Sequence, residues 1–111
     1  MPSAKVELFE TELQQSAVYF KALGHPARLM ILEFLAESDS CFTGDISSIL
    51  PLGRSTVNQH LDELKKSGLV QGHISGIKTN YCLNPDKIDE LKLVMEKFVG
   101  VIKTYKDSNC C

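Results

Sequence analysis

The sequence lacks any apolar run that approaches the roughly 20 residues needed to span a bilayer. Its opening stretch, MPSAKVELFETELQQ, also lacks the apolar centre of a signal peptide. We therefore expect a cytoplasmic protein. The chain of 111 residues is 43% hydrophobic, which is typical of one soluble globular domain. Because neither a linker nor an internal repeat interrupts it, we expect residues 1–111 to form a single domain.

The sequence also lacks an excess of positive charge. Its 12 lysines and arginines are outnumbered by 14 aspartates and glutamates, and the formal net charge is −2. This balance argues against a protein that coats nucleic acid through general attraction. A local basic face remains compatible with it, since a DNA duplex responds to the charge near the contact rather than to the total.

Cysteines are few and lack the spacing of metal sites. The four cysteines include no CxxC pair and no Cys–His zinc pattern, which disfavours a structural zinc ribbon or finger. In a reducing cytosol we expect all four to be free thiols. The chain also lacks a phosphate-binding loop and a His–Cys–Asp constellation within a supporting motif. We therefore expect no enzymatic activity and no permanently bound cofactor.

What the sequence does contain is apolar periodicity that predicts five helices and one β-hairpin. The second helix begins near Pro26. A short third helix lies in SDSCFTGDISSILPLG, with Thr43 or Ser40 as its cap and Asp45 in its first turn. The fourth helix ends at Gly68, a residue suited to a helix C-terminus. The remaining bounds are 4–23 for the first helix, 54–67 for the fourth, 69–83 for the hairpin and 86–106 for the last helix. This order is that of a winged helix-turn-helix, a mainly α fold with a β-hairpin wing.

The two terminal helices carry apolar stripes that predict a dimer. The last helix has the alternating three- and four-residue spacing of a heptad seam, in Ile88, Leu91, Met95, Phe98, Ile102 and Tyr105. The first helix has a similar stripe in Val6, Phe9, Leu13, Ser16, Phe20 and Leu23. On so small a domain, two such helices indicate an interface built from both ends of the chain.

The fourth helix has an outward face suited to reading DNA. Near its start it offers Arg54, Ser55, Asn58 and Gln59, with no acidic residue before Asp62. Such groups pair with base edges in the major groove, and the N-terminal residues of a recognition helix are those that reach bases.

Basic residues elsewhere favour phosphate contacts. Lys65 lies near the C-terminal end of the fourth helix, and Lys78 and His73 lie on the wing. Two other interpretations stay open. The polar face could be the ordinary solvated side of a core helix, or the domain could be a winged-helix module that contacts only proteins.

Three stretches together resemble the arsenic- and metal-responsive ArsR/SmtB repressor family. They are YFKALGHPARLMILEFL, STVNQHLDELKKSGLV and a wing that reads GxxxNYxLNP, and the likeness covers nearly the whole chain. The resemblance implies a winged helix-turn-helix homodimer that binds a palindromic operator and leaves it when an inducer binds. It also implies that Thr56 and His60 join Arg54, Ser55, Asn58 and Gln59 on the recognition helix. One departure is Gly53, where relatives often have serine, and glycine is a tolerable cap.

His60 has two interpretations of its own. It lies beside the apolar line of the helix, so we expect it to be half-buried and hydrogen-bonded, where it orients the helix or contacts a phosphate. A metal role is disfavoured, because no other histidine or carboxylate lies near it in helical register.

The type of inducer is argued from what the last helix and the cysteines contain. Some family members hold zinc on the last helix with histidine, but residues 86–106 contain no histidine. Others use thiols near the third helix, where this chain has only Cys41. Trivalent arsenic or antimony prefers about three thiolates, and soft ions in general select sulfur. We therefore hypothesise that Cys41, Cys110 and Cys111 together hold an As(III) or Sb(III) inducer.

Other interpretations of the cysteines stay open. Cys41 could join a terminal cysteine in a disulfide, which would make the protein a thiol-redox or sulfur sensor. Cys41 could also be an ordinary small residue, and Cys110 and Cys111 could belong to a disordered tail. Cys82, on the second strand of the wing, is expected to have a structural role.

Overall fold

The computed structural model describes residues 8–75 and 78–104, which form a mainly helical fold with a β-hairpin wing. The α-helices are α1 (Thr11–Ala22), α2 (Pro26–Glu37), α3 (Arg54–Ser67) and α4 (Pro85–Lys103). The strands are β1 (Cys41–Thr43), β2 (Val70–Ser75) and β3 (Lys78–Leu83), and a short 3-10 helix spans Ile46–Ile49. The predicted fold class, mainly α with a β-hairpin wing, is confirmed, although the described residues form four α-helices and a 3-10 helix where five helices were expected.

Local signals explain where most helices begin and end. α2 starts with Pro26, and the Nδ1 atom of His25 accepts a hydrogen bond from the backbone N–H of Ala27 at 3.0 Å. In α4, the Asn84 side chain accepts from the first free backbone N–H groups. α3 ends at Gly68, whose φ of 87° lies in the left-handed region that glycine enters without steric cost. These caps satisfy backbone groups that helix ends leave unpaired.

The predicted short helix is wrong in both of its candidate caps, and it begins later than either cap predicts. Cys41–Thr43 form a strand, because β1 pairs with β3 in an antiparallel ladder. The helix that follows is a single 3-10 segment whose cap is Asp45, which accepts from the N–H of Ser47 at 3.0 Å. Neither Thr43 nor Ser40 caps it. The sheet therefore has three strands in the order β1-β3-β2.

The terminal helices are shorter than predicted. α1 begins at Thr11 rather than at residue 4, because Glu10 has an extended backbone with ψ of 146°. Residues 4–7 lie outside the described part of the chain. α4 begins one residue earlier than predicted, at Pro85, and ends three residues earlier, at Lys103. Tyr105, Cys110 and Cys111 also lie outside the described residues.

A single cluster of apolar side chains joins all the helices to the sheet. Ile31 and Leu35 of α2, Leu64 of α3 and Leu69 before β2 are fully buried within it. α4 contributes Leu91 from its first half. Its second half leaves the seam residues Phe98 and Ile102 about half exposed, so part of the seam has no cover among the residues that the structure describes. None of the described helices is long and apolar enough to cross a membrane.

Candidate nucleic-acid interface

The buried side of α3 fixes which of its residues face outward. Val57, Leu61 and Leu64 are almost completely buried, and they pack the helix on α1, α2 and the 3-10 helix. These three residues recur at spacings of four and three and so form one stripe. The opposite side leaves Arg54, Ser55, Asn58 and Gln59 exposed, as predicted. Thr56 is half-buried. Ser55, Asn58 and Gln59 therefore face the solvent, where a ligand can approach them.

Arg54 is paired with an acidic residue of the preceding turn. Its guanidinium lies 2.7 Å from a carboxylate oxygen of Asp45, and both side chains are exposed. Hydrogen bonds from the side chain and backbone of Ser47, and then the Arg54 charge, hold the pKa of Asp45 below its ordinary value. Asp45 therefore caps the 3-10 helix and orients the first residue of α3 at the same time. The sequence signal for this role is an Asp two residues before Ser47 at a helix start.

Lys65 lies against the wing. A Cβ atom added at Gly72 of β2 would be 3.3 Å from the Lys65 ammonium and 3.3 Å from the Tyr81 ring. Because Gly72 has no side chain, the lysine can lie across the strand. The positive charge of Lys65 is thus held where α3 meets the wing, which supports a phosphate contact more than a base contact.

His60 faces the interior side of α3. It is half-buried, and its ring centroid lies 4.2 Å from that of His25 at the start of α2. Burial, followed by the charges of His25 and Arg28, lowers the pKa of His60. The two rings are tilted by 44° to each other, and contact with the residue that caps α2 favours a role for His60 in orienting the helix. The sequence could not reveal His25 as its neighbour, because the two are brought together only by helix packing.

The wing residues are described only in part. Ser75 of β2 is opposite Lys78 of β3, and His73 is opposite Asn80, so the hairpin register is defined. The side chains of His73 and Lys78 lie outside the described part of the structure. Their contacts with phosphates stay a prediction.

The cysteines depart from expectation. Cys41 and Cys82 form a disulfide, with their Cα atoms 4.0 Å apart, so the expectation that all four are free thiols is wrong. They face each other directly across the β1–β3 ladder. The sequence did not reveal the pair because it predicts no strand at Cys41. Among the residues that the structure describes, no group of three His, Cys, Asp or Glu side chains could hold a metal ion. The site at Cys41, Cys110 and Cys111 stays a prediction.

Comparisons with known proteins agree with this geometry. The sequence profile of the bacterial regulatory protein, arsR family, matches residues 25–71. An uncharacterised HTH-type transcriptional regulator of Methanocaldococcus jannaschii is 39% identical over 84 residues, which cover 75% of this chain and 94% of that protein. This chain belongs to the arsR family. It is a DNA-binding transcriptional regulator, and the family consists of regulators rather than enzymes.

Two further known proteins are similar to the chain. The cadmium resistance transcriptional regulatory protein CadC of Listeria innocua is 32% identical over 85 residues, or 77% of this chain and 71% of that protein. The solved structure of HlyU from Vibrio cholerae superposes with a TM-score of 0.63 at 28% identity, covering 82% of this chain and 99% of that chain. The similarity thus extends well beyond the α2–β2 region that the family profile matches.

Proposed function

We propose that this arsR-family protein is a cytoplasmic homodimeric repressor that leaves its operator when an inducer binds its thiols. The observation that carries the proposal is the exposed polar start of α3, where Ser55, Asn58 and Gln59 are held outward by a fully buried opposite face. Short hydrogen-bonding groups at the N-terminal end of such a helix match base edges in the major groove.

A second copy of the chain is proposed to cover the groove between α1 and α4. The groove has a volume of about 500 Å³ and is lined by Leu13 and Phe20 of α1 and by Leu93, Phe98 and others of α4. Leu93 is 65% exposed. A contiguous apolar surface of this kind, on helices from both ends of the chain, is typical of a protein–protein interface.

Polar contacts keep the walls of this groove in place within one chain. Tyr19 of α1 donates a hydrogen bond to a carboxylate oxygen of Glu90 of α4 at 2.6 Å. Lys97 of α4 pairs with Glu12 of α1. The groove is therefore a formed surface before a partner arrives. Two copies related by a two-fold axis would present two α3 helices, which is why the proposed operator is palindromic.

The proposed inducer is trivalent arsenic or antimony, bound by Cys41, Cys110 and Cys111. Cadmium, for which the Listeria innocua relative is named, is also a soft ion that prefers thiolates. Cys41 must first be reduced, because a disulfide sulfur is not a thiolate ligand. The Cys41–Cys82 disulfide favours a second candidate, a repressor of the same fold that responds to thiol oxidation.

A mobility-shift assay tests these steps in order. DNA from upstream of the protein's own gene is mixed with the reduced protein at low salt, where phosphate contacts are strongest, and arsenite or zinc is then added. We expect a shifted protein–DNA complex that dissociates on addition of arsenite and persists on addition of zinc. The Cys110→Ser, Cys111→Ser double variant should bind DNA normally but resist arsenite. Absence of a complex at low salt would contradict the repressor function, and release of the variant at unchanged arsenite concentration would contradict the three-thiolate site.

A further inference from the structure

We propose that Cys41 and Cys82 form a reversible dithiol–disulfide couple that fixes the wing to the helix-turn-helix and raises affinity for the operator. The inference rests on the proposed function for its operator and deepens its second candidate, by naming what the Cys41–Cys82 disulfide fixes in place and the direction in which it changes DNA affinity. The two residues are directly opposite in the β1–β3 ladder, with Cα atoms 4.0 Å apart. Directly facing residues of an antiparallel pair approach to about 4.5 Å at the closest positions, so this register alone brings the two sulfurs together.

The couple is accessible to small oxidants and reductants. Cys41 is exposed, whereas Cys82 is half-buried and accepts a weak hydrogen bond from the side-chain amide of Asn80 at 3.7 Å. An incoming thiolate therefore attacks the exposed Cys41 sulfur, and Cys82 is the thiolate that leaves. In the oxidative direction Cys82 is the thiolate that forms the bond again. Disulfides that are exposed at the surface are the ones that tend to be labile or regulatory.

The turn before Cys41 has a conformation that needs outside support. Asp39 and Ser40 both have positive φ, at 58° and 73°, and non-glycine residues adopt this region at a cost in free energy. Two hydrogen bonds hold the turn. The Ser40 N–H donates to the carbonyl of Leu35 at 2.8 Å, and the Leu83 N–H donates to the carbonyl of Ser40 at 2.7 Å. The second of these bonds comes from β3. The disulfide lies next to it and holds the same two strands together.

β1 has little else to keep it on the sheet. Its ladder with β3 has three residue pairs, supported by the Thr43 hydroxyl, which donates to the Asn80 side-chain oxygen at 2.8 Å. Phe42 packs edge-on against Phe34 of α2, with centroids 4.8 Å apart. A strand this short depends on such contacts, so loss of the covalent bond is expected to loosen β1 and the turn.

The coupling runs from the wing to the start of the recognition helix. Directly after β1 the chain reaches Asp45, which caps the 3-10 helix and pairs with Arg54 at 2.7 Å. On its other side the wing is joined to α3 through Gly68. The disulfide thus gives the wing a second attachment to the DNA-reading unit. Fixing two contact elements relative to each other before binding removes part of the entropy cost of association.

The chemistry balances with a peroxide as the oxidant. A Cys41 thiolate attacks the O–O bond of hydrogen peroxide, giving a sulfenic acid and, after proton uptake, water. The Cys82 thiolate then attacks that sulfur, forming the S–S bond and releasing the second oxygen as water. Two thiols and one peroxide thus become one disulfide and two waters. Reduction uses two equivalents of glutathione through a mixed disulfide, which leaves both cysteines as thiols and the glutathione as its disulfide.

The experiment uses the Cys110→Ser, Cys111→Ser background, in which Cys41 and Cys82 are the remaining cysteines of the sequence. Protein is equilibrated in glutathione buffers of graded potential, and free thiols are counted by alkylation and mass measurement. Operator affinity is then measured for both states. We expect complete, reversible conversion and about three- to tenfold tighter binding of the disulfide form, as for the preorganisation of one wing-to-phosphate contact. A difference below twofold, or tighter binding by the reduced form, would overturn the proposal.

Two further measurements separate this inference from the proposed function. Amide hydrogen exchange of Phe42 and Tyr81 should slow on oxidation, whether or not a DNA target is found. If the amide hydrogens of Phe42 and Tyr81 exchange equally fast in both states, the proposed effect of the disulfide is overturned even if the protein binds its operator. Disulfide mapping of the wild-type chain after peroxide should recover the Cys41–Cys82 peptide pair, and a pair that joins Cys41 to Cys110 or Cys111 instead would overturn it. The Cys82→Ser variant on the same background is the matched control, since its operator affinity should be the same before and after treatment with peroxide.

Discussion

Truncating one side chain in the groove between α1 and α4 should weaken the dimer strongly while leaving the subunit folded. Leu93 is 65% exposed and lines that groove. Full burial of a leucine side chain contributes about 1.5 to 3 kcal/mol, so covering the exposed part contributes about 1 to 2 kcal/mol. Because alanine retains a fraction of that surface, Leu93→Ala should lose about 1 kcal/mol per subunit.

A two-fold interface doubles this loss. Each substitution occurs twice in the dimer, so dimerisation should weaken by about 2 kcal/mol, or about 30-fold in the dissociation constant. Sedimentation equilibrium over a range of concentrations measures this constant. Operator affinity at low protein concentration should fall in parallel, because a single subunit reaches only one half-site.

Leu29→Ala is the matched control. Leu29 is 45% exposed on α2 and does not line the groove. It should leave the dimerisation constant within about twofold of the wild type, as expected for an exposed surface substitution. Circular dichroism should show both variants folded. A folded Leu93→Ala protein that dimerises as tightly as the wild type would refute the assignment of this groove to a second copy of the chain.

Three other predictions concern stability and specificity. Burial, and then the hydrogen bond to Glu90, raises the pKa of Tyr19 from 10.0 to about 12. Between these two pH values the folded state keeps a proton that the unfolded state releases, so up to about 3 kcal/mol of stability should be lost as pH rises from 10 to 12. Urea unfolding of the Tyr19→Phe variant should lack this extra pH dependence. Gln59→Ala should relax sequence preference in mobility shifts with operator variants by about 1 to 3 kcal/mol at one base pair, and an equal loss on all sequences would make Gln59 a phosphate contact. Gly68→Ala should destabilise the fold by about 1 kcal/mol or more, since the φ of Gly68 is 87° and a Cβ atom there would be 3.2 Å from the Lys87 side chain. An unchanged midpoint of urea unfolding would contradict this prediction.

The parts of the fold that the sequence predicted are those specified by neighbouring residues. α3 and its C-terminal Gly68 follow from helical spacing and a glycine stop, and the hairpin follows from two apolar runs around a glycine turn. The strand Cys41–Thr43 was missed because only β3, some 40 residues away in the chain, makes it a strand. The choice of Asp45 as a cap over Thr43 depends on the same pairing, since Thr43 is already committed to β1.

The candidate site divides in the same way. The exposed face of α3 was predictable, because burial of Val57 and Leu61 fixes the opposite side. The contact between His25 and His60 depends on how two helices pack, which no local pattern encodes. The Cys41–Cys82 disulfide depends on strand register, where a shift of one residue would turn the facing side chains apart.

The ion pair between Arg54 and Asp45 affects how binding should respond to salt. In the free protein the guanidinium charge is already neutralised by a carboxylate 2.7 Å away, so a DNA phosphate that takes Arg54 must first displace that partner. The exchange costs little, because exposed ion pairs contribute at most about 1 kcal/mol. It does change the net number of cations that DNA binding releases into solution. The phosphate pairs with Arg54 and loses its counterion, but the freed Asp45 carboxylate takes up a cation from solution. The release of cations from the duplex is thus partly offset, and the protein should tolerate changes in ionic strength better than its number of basic contacts suggests.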